Sequence, residues 1–506
     1  MDDTRMKLLI DMRAAAEGFA GIPQEARLIA NGLQKIDFLE VDGFLELPYL
    51  SAERVKSAVP AESANYHSRI VAALSEKKNT APSKYFLWRR LKKIWANASM
   101  YLIVMRPLAQ IKLIAFNAQL FPDFIWRSLF AKTLPASERK LAVTMNYKIS
   151  PVSRAVLYFK GLKKNKYPIF NTKKHDVFIS HMPFPGKVSK DTSLVIRYYD
   201  SIPIFMSHTI ENTLNHQRMF FSALSSNVKS GAWFVCISET VRQELIQLFP
   251  EIEARSSTIH CMISEHYFCE DSLPARTADI IRAYSTHFDA KTGVDIVPPF
   301  TSLEAKEAFY SRTLSPHKVN YLLIVSTIEP RKNHLCLLNA WKVLRETVDP
   351  SLKLIMVGHI GWNYASILDA FKIWIEKGDL FLLSAVPAAE LRVLYRHAIA
   401  TVCPSFSEGF DYSGVESMSS GGLTVASDIA VHREIYGDAA FYFDPYNADN
   451  LVSVLSSLLD SQSELFSQVE LMRHRGLDVA SRYLPGNILP QWESVIMKIR
   501  SQSLVN

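Results

Sequence analysis

Two glutamates, Glu408 and Glu416, stand eight residues apart in the stretch CPSFSEGFDYSGVESMSSGG (403–422), with Gly409 and Gly414 between them. The apolar run ATVCPS (400–405) reads as a strand and the residues from about Ser413 as a helix. The loop therefore leaves a strand and enters a helix N-terminus. Such a terminus, where glycine permits close approach, presents free backbone N–H groups to an anion such as a diphosphate. Carboxylates repel phosphate, so the two glutamates suit hydroxyls instead, those of a sugar or ribose on either side of that diphosphate. A purely structural reading stands beside this one. Ser413 and Glu416 also have the spacing of a capping box, and Glu408 suits a solvated loop.

Regular alternation must position this loop. NYLLIVST (320–327), LKLIMVG (352–358), LFLLSAV (380–386), ATVCPS, LTVASD (423–428) and AFYFDP (440–445) are short apolar runs separated by helical stretches such as HLCLLNAWKVLRE. Strand–helix repeats of this kind build a parallel sheet covered on both faces. An earlier unit opens with KLLIDMR, the turn Ala14–Gly21 and a helix, and resumes with DVFISH (176–181), SLVIRYYD (193–200) and AWFVCISE (232–239), where Ser238 is placed to cap a helix from Thr240. Gly18 and Gly21 in GFAGIP sit at its first strand-to-helix turn, where backbone approaches a phosphate or an acceptor. The stretch from about 48 to 140 lacks alternation and reads as a mainly helical insertion. Between about Asp271 and Lys318 no pattern is sustained, which places the interdomain connection there. The expected organisation is α/β: two doubly wound Rossmann-like domains, 1–317 and 318–485, face a cleft, and a C-terminal helix over 486–506 is free to pack back on the first. Ligands of such sheets bind outside the carboxyl ends of the strands, so the cleft is the expected site.

With 506 residues, 48% of them hydrophobic and 11% aromatic, the chain can bury more than one core, which excludes a disordered protein. Five cysteines without a C-x-x-C pair exclude a disulfide scaffold or a structural zinc site and read as reduced, buried thiols. The start MDDTRMKLLI is a first strand and not a signal peptide, and no apolar run reaches a membrane-spanning length, so a cytoplasmic protein is expected. The net charge of +7 is unevenly spread: residues 84–190 carry 21 Lys/Arg against 3 acids, or +18, leaving −11 elsewhere. Within that block Tyr85, Phe86, Trp88, Trp95 and Tyr101 interleave with Lys84, Arg89, Arg90, Lys92 and Lys93. Such a segment suits an anionic membrane interface, which makes 84–130 the expected docking surface on the inner face of the cell membrane. An ordinary amphipathic helix has the same composition. No nucleic-acid motif accompanies the patch, so no nucleic acid is expected as a partner.

The Glu408/Glu416 spacing resembles the E-x7-E signature of the retaining family 4 glycosyltransferases, whose two Rossmann-like domains form the GT-B arrangement. The resemblance covers roughly 318–485 well and the first domain weakly. It implies that Glu416 holds the donor's ribose, Glu408 contacts the transferred sugar and the backbone of Ser413, Gly414 and Val415 meets the diphosphate. STIEPRKNH (326–334) is similar to the family's loop in which two cations neutralise the leaving diphosphate. Lys332 matches the family lysine. The usual arginine falls at Thr327, and the neighbouring Arg331 is expected to supply the missing charge, as a planar fork suited to phosphate. VGHIGWNY (357–364) resembles the loop bordering the nucleotide base, which brings in His359 and Gly361, and His432 and Glu434 fall among scaffold residues. Where the family shows His-Asp in its first domain, this chain has Tyr199-Asp200, so Asp200 is retained, and His181 or His208 is available to be recruited.

The resemblance implies transfer of a hexose from a nucleotide diphosphate sugar to a glycan or lipid-linked glycan acceptor, with retention and without a metal or other cofactor. EPRKN, EGFDYSGVE and SDIAVHREIYGDAA are most similar to bacterial polysaccharide and O-antigen mannosyltransferases, which points to GDP-mannose as donor. The expected catalytic set is Glu408, Lys332, Arg331 and Asp200. Glu416, Ser413, Gly414, Val415, Thr327, Gly361 and Gly21 form the donor set. Two rivals are a non-catalytic, membrane-peripheral protein of this fold, suggested by Thr327 and Tyr199, and another two-Rossmann enzyme such as an epimerase. The second lacks the G-x-G-x-x-G it would need.

Overall fold

The computed structural model describes residues 5–18, 21–47, 64–75, 110–158, 167–286, 288–289, 294–295 and 300–503. The basic aromatic stretch from 84 to 109 lies outside them.

Two sheets organise the chain. The first has eight strands: β1 (Met6–Asp11), β2 (Leu39–Glu46), β3 (Ile114–Phe116), β4 (Asn146–Ser150), β5 (Val177–Ser180), β6 (Ser193–Tyr198), β7 (Trp233–Cys236) and β8 (Ser256–Thr258), in the order β8-β7-β6-β5-β1-β2-β4-β3. Every pairing is parallel except that of β3 with β4. The second has six parallel strands: β9 (Tyr321–Val325), β10 (Lys353–Val357), β11 (Leu380–Leu383), β12 (Ala400–Cys403), β13 (Thr424–Ser427) and β14 (Phe441–Phe443), in the order β11-β10-β9-β12-β13-β14. Both faces of each sheet are covered, and the period-2 alternation of a strand assigns the residues. Leu8 and Ile10 of β1 belong to one apolar cluster and Leu9 to another, while Leu322 and Ile324 of β9 part from Tyr321 and Leu323 in the same way.

The helices that matter for the site are α1 (Ile22–Leu33), α2 (Glu239–Leu248), α3 (Arg276–Tyr284), α4 (Leu303–Thr313), α5 (His334–Thr347), α6 (Tyr412–Ser419), α7 (Ala430–Tyr436) and the C-terminal α8 (Pro485–Ser503). Ser238 caps α2 by accepting from the Val241 N–H. Ile488, Trp492, Ile496 and Ile499 of α8 enter the core of the first domain, and Gly32 of α1 leaves the room that Leu489 fills.

Three sequence expectations need correction. The insertion expected over 48–140 is not simply helical. Its described residues include β3, an edge strand of the first sheet, and Ile70, Phe116, Ile125 and Phe130 share the core of that sheet. The segment expected to be a patternless connection holds α3 and α4. Tyr267, Ile281, Tyr310 and Leu314 pack against Leu323 and Ile355 of the second sheet, so that domain's core begins some fifty residues before Lys318. Among the cysteines, Cys236, Cys261 and Cys403 are buried, but Cys269 is exposed and Cys336 half-buried. β2 and β4 escaped the pattern because LEVDGFLE and NYKIS carry polar residues; Asp42 is accommodated by His175 at 2.9 Å and Lys148 at 3.4 Å. Among the described residues no helix is long and apolar enough to cross a membrane.

Candidate active site

The carboxyl ends of the two sheets meet, and an apolar cluster runs from β6 and β7 through Phe410, Val415 and Tyr483 across the junction. Gly409 makes the approach possible. A Cβ there would stand 1.9 Å from the Tyr199 carbonyl oxygen, so a side chain at 409 would force the 408–411 loop away from the first domain.

After β9 the chain makes a tight turn over Pro330–Lys332 and enters α5 through Asn333, whose φ of 55° is left-handed, a region asparagine tolerates better than most residues. This turn directs two cations at one carboxylate. Arg331 donates from Nη1 to Glu408 Oε2 at 2.7 Å and to the Ser407 carbonyl at 2.6 Å, and from Nη2 to Glu329 Oε1 at 2.7 Å. Lys332 donates from Nζ to Glu408 Oε1. Burial alone would raise the Glu408 pKa, but Arg331 and Lys332 hold it below the ordinary value. Burial likewise would lower the Arg331 pKa, and Glu408 and Glu329 reverse that. The two cations therefore face Glu408 and Glu329 directly, with Asp200 and Asp411 also within electrostatic reach. Asp200, at the end of β6, lies within electrostatic reach of Arg331 and accepts from the Ile202 N–H at 3.1 Å. Its burial raises its pKa against the Arg331 charge.

Glu416 occupies a second, drier position. It is 3% exposed; Oε1 accepts from Gln24 Nε2 of α1 at 3.2 Å and Oε2 from the Tyr395 hydroxyl at 3.1 Å, and Tyr267 donates to the same carboxylate. Burial pushes its pKa up to about 7 despite these bonds. Glu416 does not cap its helix, which removes the capping-box reading. Asp411 does so: its Oδ1 accepts from the Ser413 N–H at 3.1 Å and from the Ser413 hydroxyl at 2.7 Å, and its other oxygen lies 3.3 Å from His432 Nε2. Burial would raise the Asp411 pKa, yet the His432 bond and the nearby Lys332 hold it far below the carboxylate range. One N–H of the expected diphosphate cradle, that of Ser413, is thus already engaged. Gly414 is needed for close packing, since a Cβ there would meet the Tyr436 ring at 2.4 Å, and Val415 is fully buried.

Thr327 and Gly361 come together where the loops after β9 and β10 touch. A Cβ on Gly361 would stand 2.7 Å from Thr327 Cγ2, and Ile328 pairs with Ile360. Beside them a cleft at the carboxyl ends of β9, β10 and β11 is lined by Ser326, Ile328, Gly358, His359, Thr286 and Ser384. Gly21 opens α1 with a φ of 68°, a conformation that favours glycine, and the Glu17 and Gly18 carbonyls of the preceding turn accept from Arg27. His181 is buried against Tyr199, with Nδ1 2.7 Å from the hydroxyl. His432 and Glu434 have structural partners: Glu434 accepts from the Glu239 and Thr240 N–H groups at 2.6 and 2.8 Å and from His260 Nε2 at 2.9 Å, which ties α7 to α2 of the first domain.

The sequence reading did not single out Glu329, Asp411, Gln24, Glu25, Tyr267 or Tyr395. Glu329 and Asp411 lie inside the motifs already quoted and were legible as extra carboxylates. Glu25 pairs with Arg197 at 2.7 Å, both fully buried, and accepts from the Tyr412 hydroxyl at 2.9 Å. Nothing in the local sequence announces that pairing across 172 residues.

Residues 306–473 match the family described as "Glycosyl transferases group 1". The chain is 27% identical over 267 residues to O-antigen chain mannosyltransferase B of Escherichia coli, covering 53% of this chain and 60% of that protein. It is 30% identical over 142 residues to O-antigen chain mannosyltransferase RfbU of Salmonella typhimurium, covering 28% and 39%. It therefore spans less than two thirds of the length of either relative. Sucrose-phosphate synthase of Thermosynechococcus elongatus superposes with a TM-score of 0.55 over 98% of this chain and 100% of that one, at 11% identity, a likeness of fold alone. The architecture is GT-B, residues 306–473 match the group 1 glycosyl transferase family, and the chain resembles O-antigen mannosyltransferases.

Proposed function

We propose that this chain is a retaining mannosyltransferase that moves mannose from GDP-mannose to a glycan or lipid-linked glycan acceptor in cell-surface polysaccharide synthesis. The observation that carries the reading is the convergence of Lys332 and Arg331 on Glu408 at the junction of the two domains, opposite Asp200. Cleaving a nucleotide diphosphate sugar needs positive charge at the departing diphosphate, fixed in place before the reaction. Lys332, bonded to Glu408, is the cation assigned to the diphosphate. Arg331 has its fork committed to Glu329, Ser407 and Glu408 and holds the loop in shape. An incoming diphosphate replaces Glu408 on Lys332, and the released carboxylate turns to a hydroxyl of the transferred sugar. Glu416 accepts from the ribose, exchanging the Gln24 amide for a ribose hydroxyl, and the cleft at His359 takes the base.

A non-catalytic role is favoured by two departures, Tyr199 directed at His181 and Asp411 on the helix N-terminus. A thermal-shift screen of GDP-, UDP- and ADP-sugars followed by assay of nucleotide release separates the readings. A ligand at 100 times its Kd stabilises by about 2.7 kcal/mol. Stabilisation by GDP-mannose with turnover supports transfer, stabilisation without turnover supports the binding role, and no response to any donor removes both. Docking of residues 84–130 on an anionic membrane is part of the same proposal. Neutralising Arg89, Arg90, Lys92 and Lys93 should release the protein from phosphatidylglycerol vesicles, and unchanged binding would sink it.

A further inference from the structure

Where the two domains meet, one helix of each faces the other. Gln24 and Glu25 lie in the first turn of α1, and Tyr412 and Glu416 stand one turn apart on α6, so that they share a face. Gln24 donates to Glu416 at 3.2 Å, and the Tyr412 hydroxyl donates to Glu25 Oε2 at 2.9 Å. Burial raises the Tyr412 pKa, so the hydroxyl keeps its proton and acts as the donor. The two neighbouring bonds run in opposite directions: one carboxylate belongs to the second domain and the other to the first.

Glu25 also belongs to a hub that grips the chain where it passes between the domains. Arg197 of β6, fully buried, donates to Glu25 Oε1 at 2.7 Å and to the Ile259 and His260 carbonyls at 2.6 and 3.2 Å. Its guanidinium lies 5.3 Å from the centre of the Trp492 ring on α8. The Met262 N–H donates to Glu25 Oε2 at 3.0 Å, and the Ile263 N–H to the Tyr483 carbonyl at 3.0 Å, just before α8 begins. The outgoing segment 259–263 and the returning helix α8 are thus both seated on one buried ion pair. Among the described residues, Tyr412 is the side chain through which the donor loop's helix reaches that pair, by a hydrogen bond of the stronger, charge-assisted kind.

The two bonds have different fates when a donor enters. In the function proposed above, Glu416 exchanges Gln24 for a ribose hydroxyl, which removes one link between α1 and α6. Glu25 is fully buried and fully engaged by Arg197, Met262 and Tyr412, so the second link has no such exchange. We propose that Tyr412 is a positioning residue: its bond to Glu25 keeps α6 seated on the first domain while Glu416 changes partner, so that Lys332 and Glu408 stay opposite Asp200 during transfer. The proposal rests on the reading of Glu416 as the ribose carboxylate.

The test is hydrogen–deuterium exchange over residues 259–264 of the full chain, with and without saturating GDP, in the native protein and in Tyr412→Phe, which keeps the ring and loses only the hydroxyl. Without GDP the variant is expected to exchange like the native protein, because Gln24 still holds Glu416. With GDP its exchange should exceed that of the native complex at least about tenfold, the scale of a lost hydrogen bond to a charged group. The double variant Gln24→Ala/Tyr412→Phe should show the same rise without any ligand, and Gln24→Ala alone should not. Equal acceleration of Tyr412→Phe in both states would make the bond merely structural and overturn the proposal. Native exchange in the GDP-bound variant, or in the double variant, overturns it as well. If GDP binds neither protein, the donor reading fails, and the double variant alone decides whether Tyr412 and Gln24 are the paired links.

Discussion

Gln24 of the first domain donates its amide to Glu416 of the second across 3.2 Å, so the carboxylate proposed to receive ribose is held from both sides of the cleft. Burial pushes Glu416 up to about 7 from an ordinary glutamate value of 4.5. The folded state therefore holds its proton more tightly than the unfolded chain does. The associated stability is fully present below pH 4.5, is lost as pH rises to about 7 and is level above that. A shift of this size corresponds to about 3 kcal/mol. Urea unfolding between pH 4.5 and 8 should show that decline in the native protein, and Glu416→Gln should flatten it. An identical slope in the variant would assign the titration elsewhere.

Lys332 and Arg331 should separate by variant. Lys332→Ala is expected to lower turnover by about 10²–10³, the usual loss on removing one preorganised electrostatic group, with a smaller loss of stability because Arg331 still neutralises Glu408. Arg331→Lys should instead destabilise by about 2–4 kcal/mol, because lysine cannot satisfy Glu329, Ser407 and Glu408 together. Steady-state kinetics beside thermal melts read the two effects separately.

Glu408→Ala leaves Lys332 and Arg331 without their shared carboxylate. The variant should melt at lower temperature than the native protein. It should also gain more stability from added GDP or pyrophosphate, since the cations are no longer neutralised in advance. Equal gains in both proteins would argue that no diphosphate reaches Lys332.

Asp411→Ala removes a helix cap, at a cost of about 0.5–2 kcal/mol, and frees the Ser413 N–H. Calorimetric titration with GDP should then show higher affinity in a less stable protein. Weaker binding would show that Asp411 supports the site and does not obstruct it.

Glu434 ties α7 to α2 and His260. Burial alone would raise its pKa, but bonds from His260, Thr240 and the two backbone N–H groups hold it down to about 2. The contact is complete above the ordinary 4.5 and is lost as pH falls toward 2. Glu434→Ala should loosen the junction at neutral pH, seen by small-angle scattering as a larger radius of gyration together with a melting loss of about 2–3 kcal/mol.

The strands and the two principal motifs were legible in sequence because their information is local. All ten apolar runs from KLLIDMR to AFYFDP contain strands, since a strand buried on both faces must be apolar throughout. Glu408, Glu416 and Lys332 were legible by type and spacing. What tertiary structure alone decided is which partner each of them meets. Arg331, expected to wait for a phosphate, is spent on three internal oxygens, and Ser413, expected to cap and cradle, is itself held by Asp411. Gln24 with Glu416, Glu25 with Arg197 and Arg154 with Asp11 are separated by 392, 172 and 143 residues. The energy of such a pair depends on the burial and distance that the fold imposes, and a one-dimensional pattern carries neither. The sequence determined the chemistry at hand, and the meeting of the carboxyl ends of two sheets decided where each charge is neutralised.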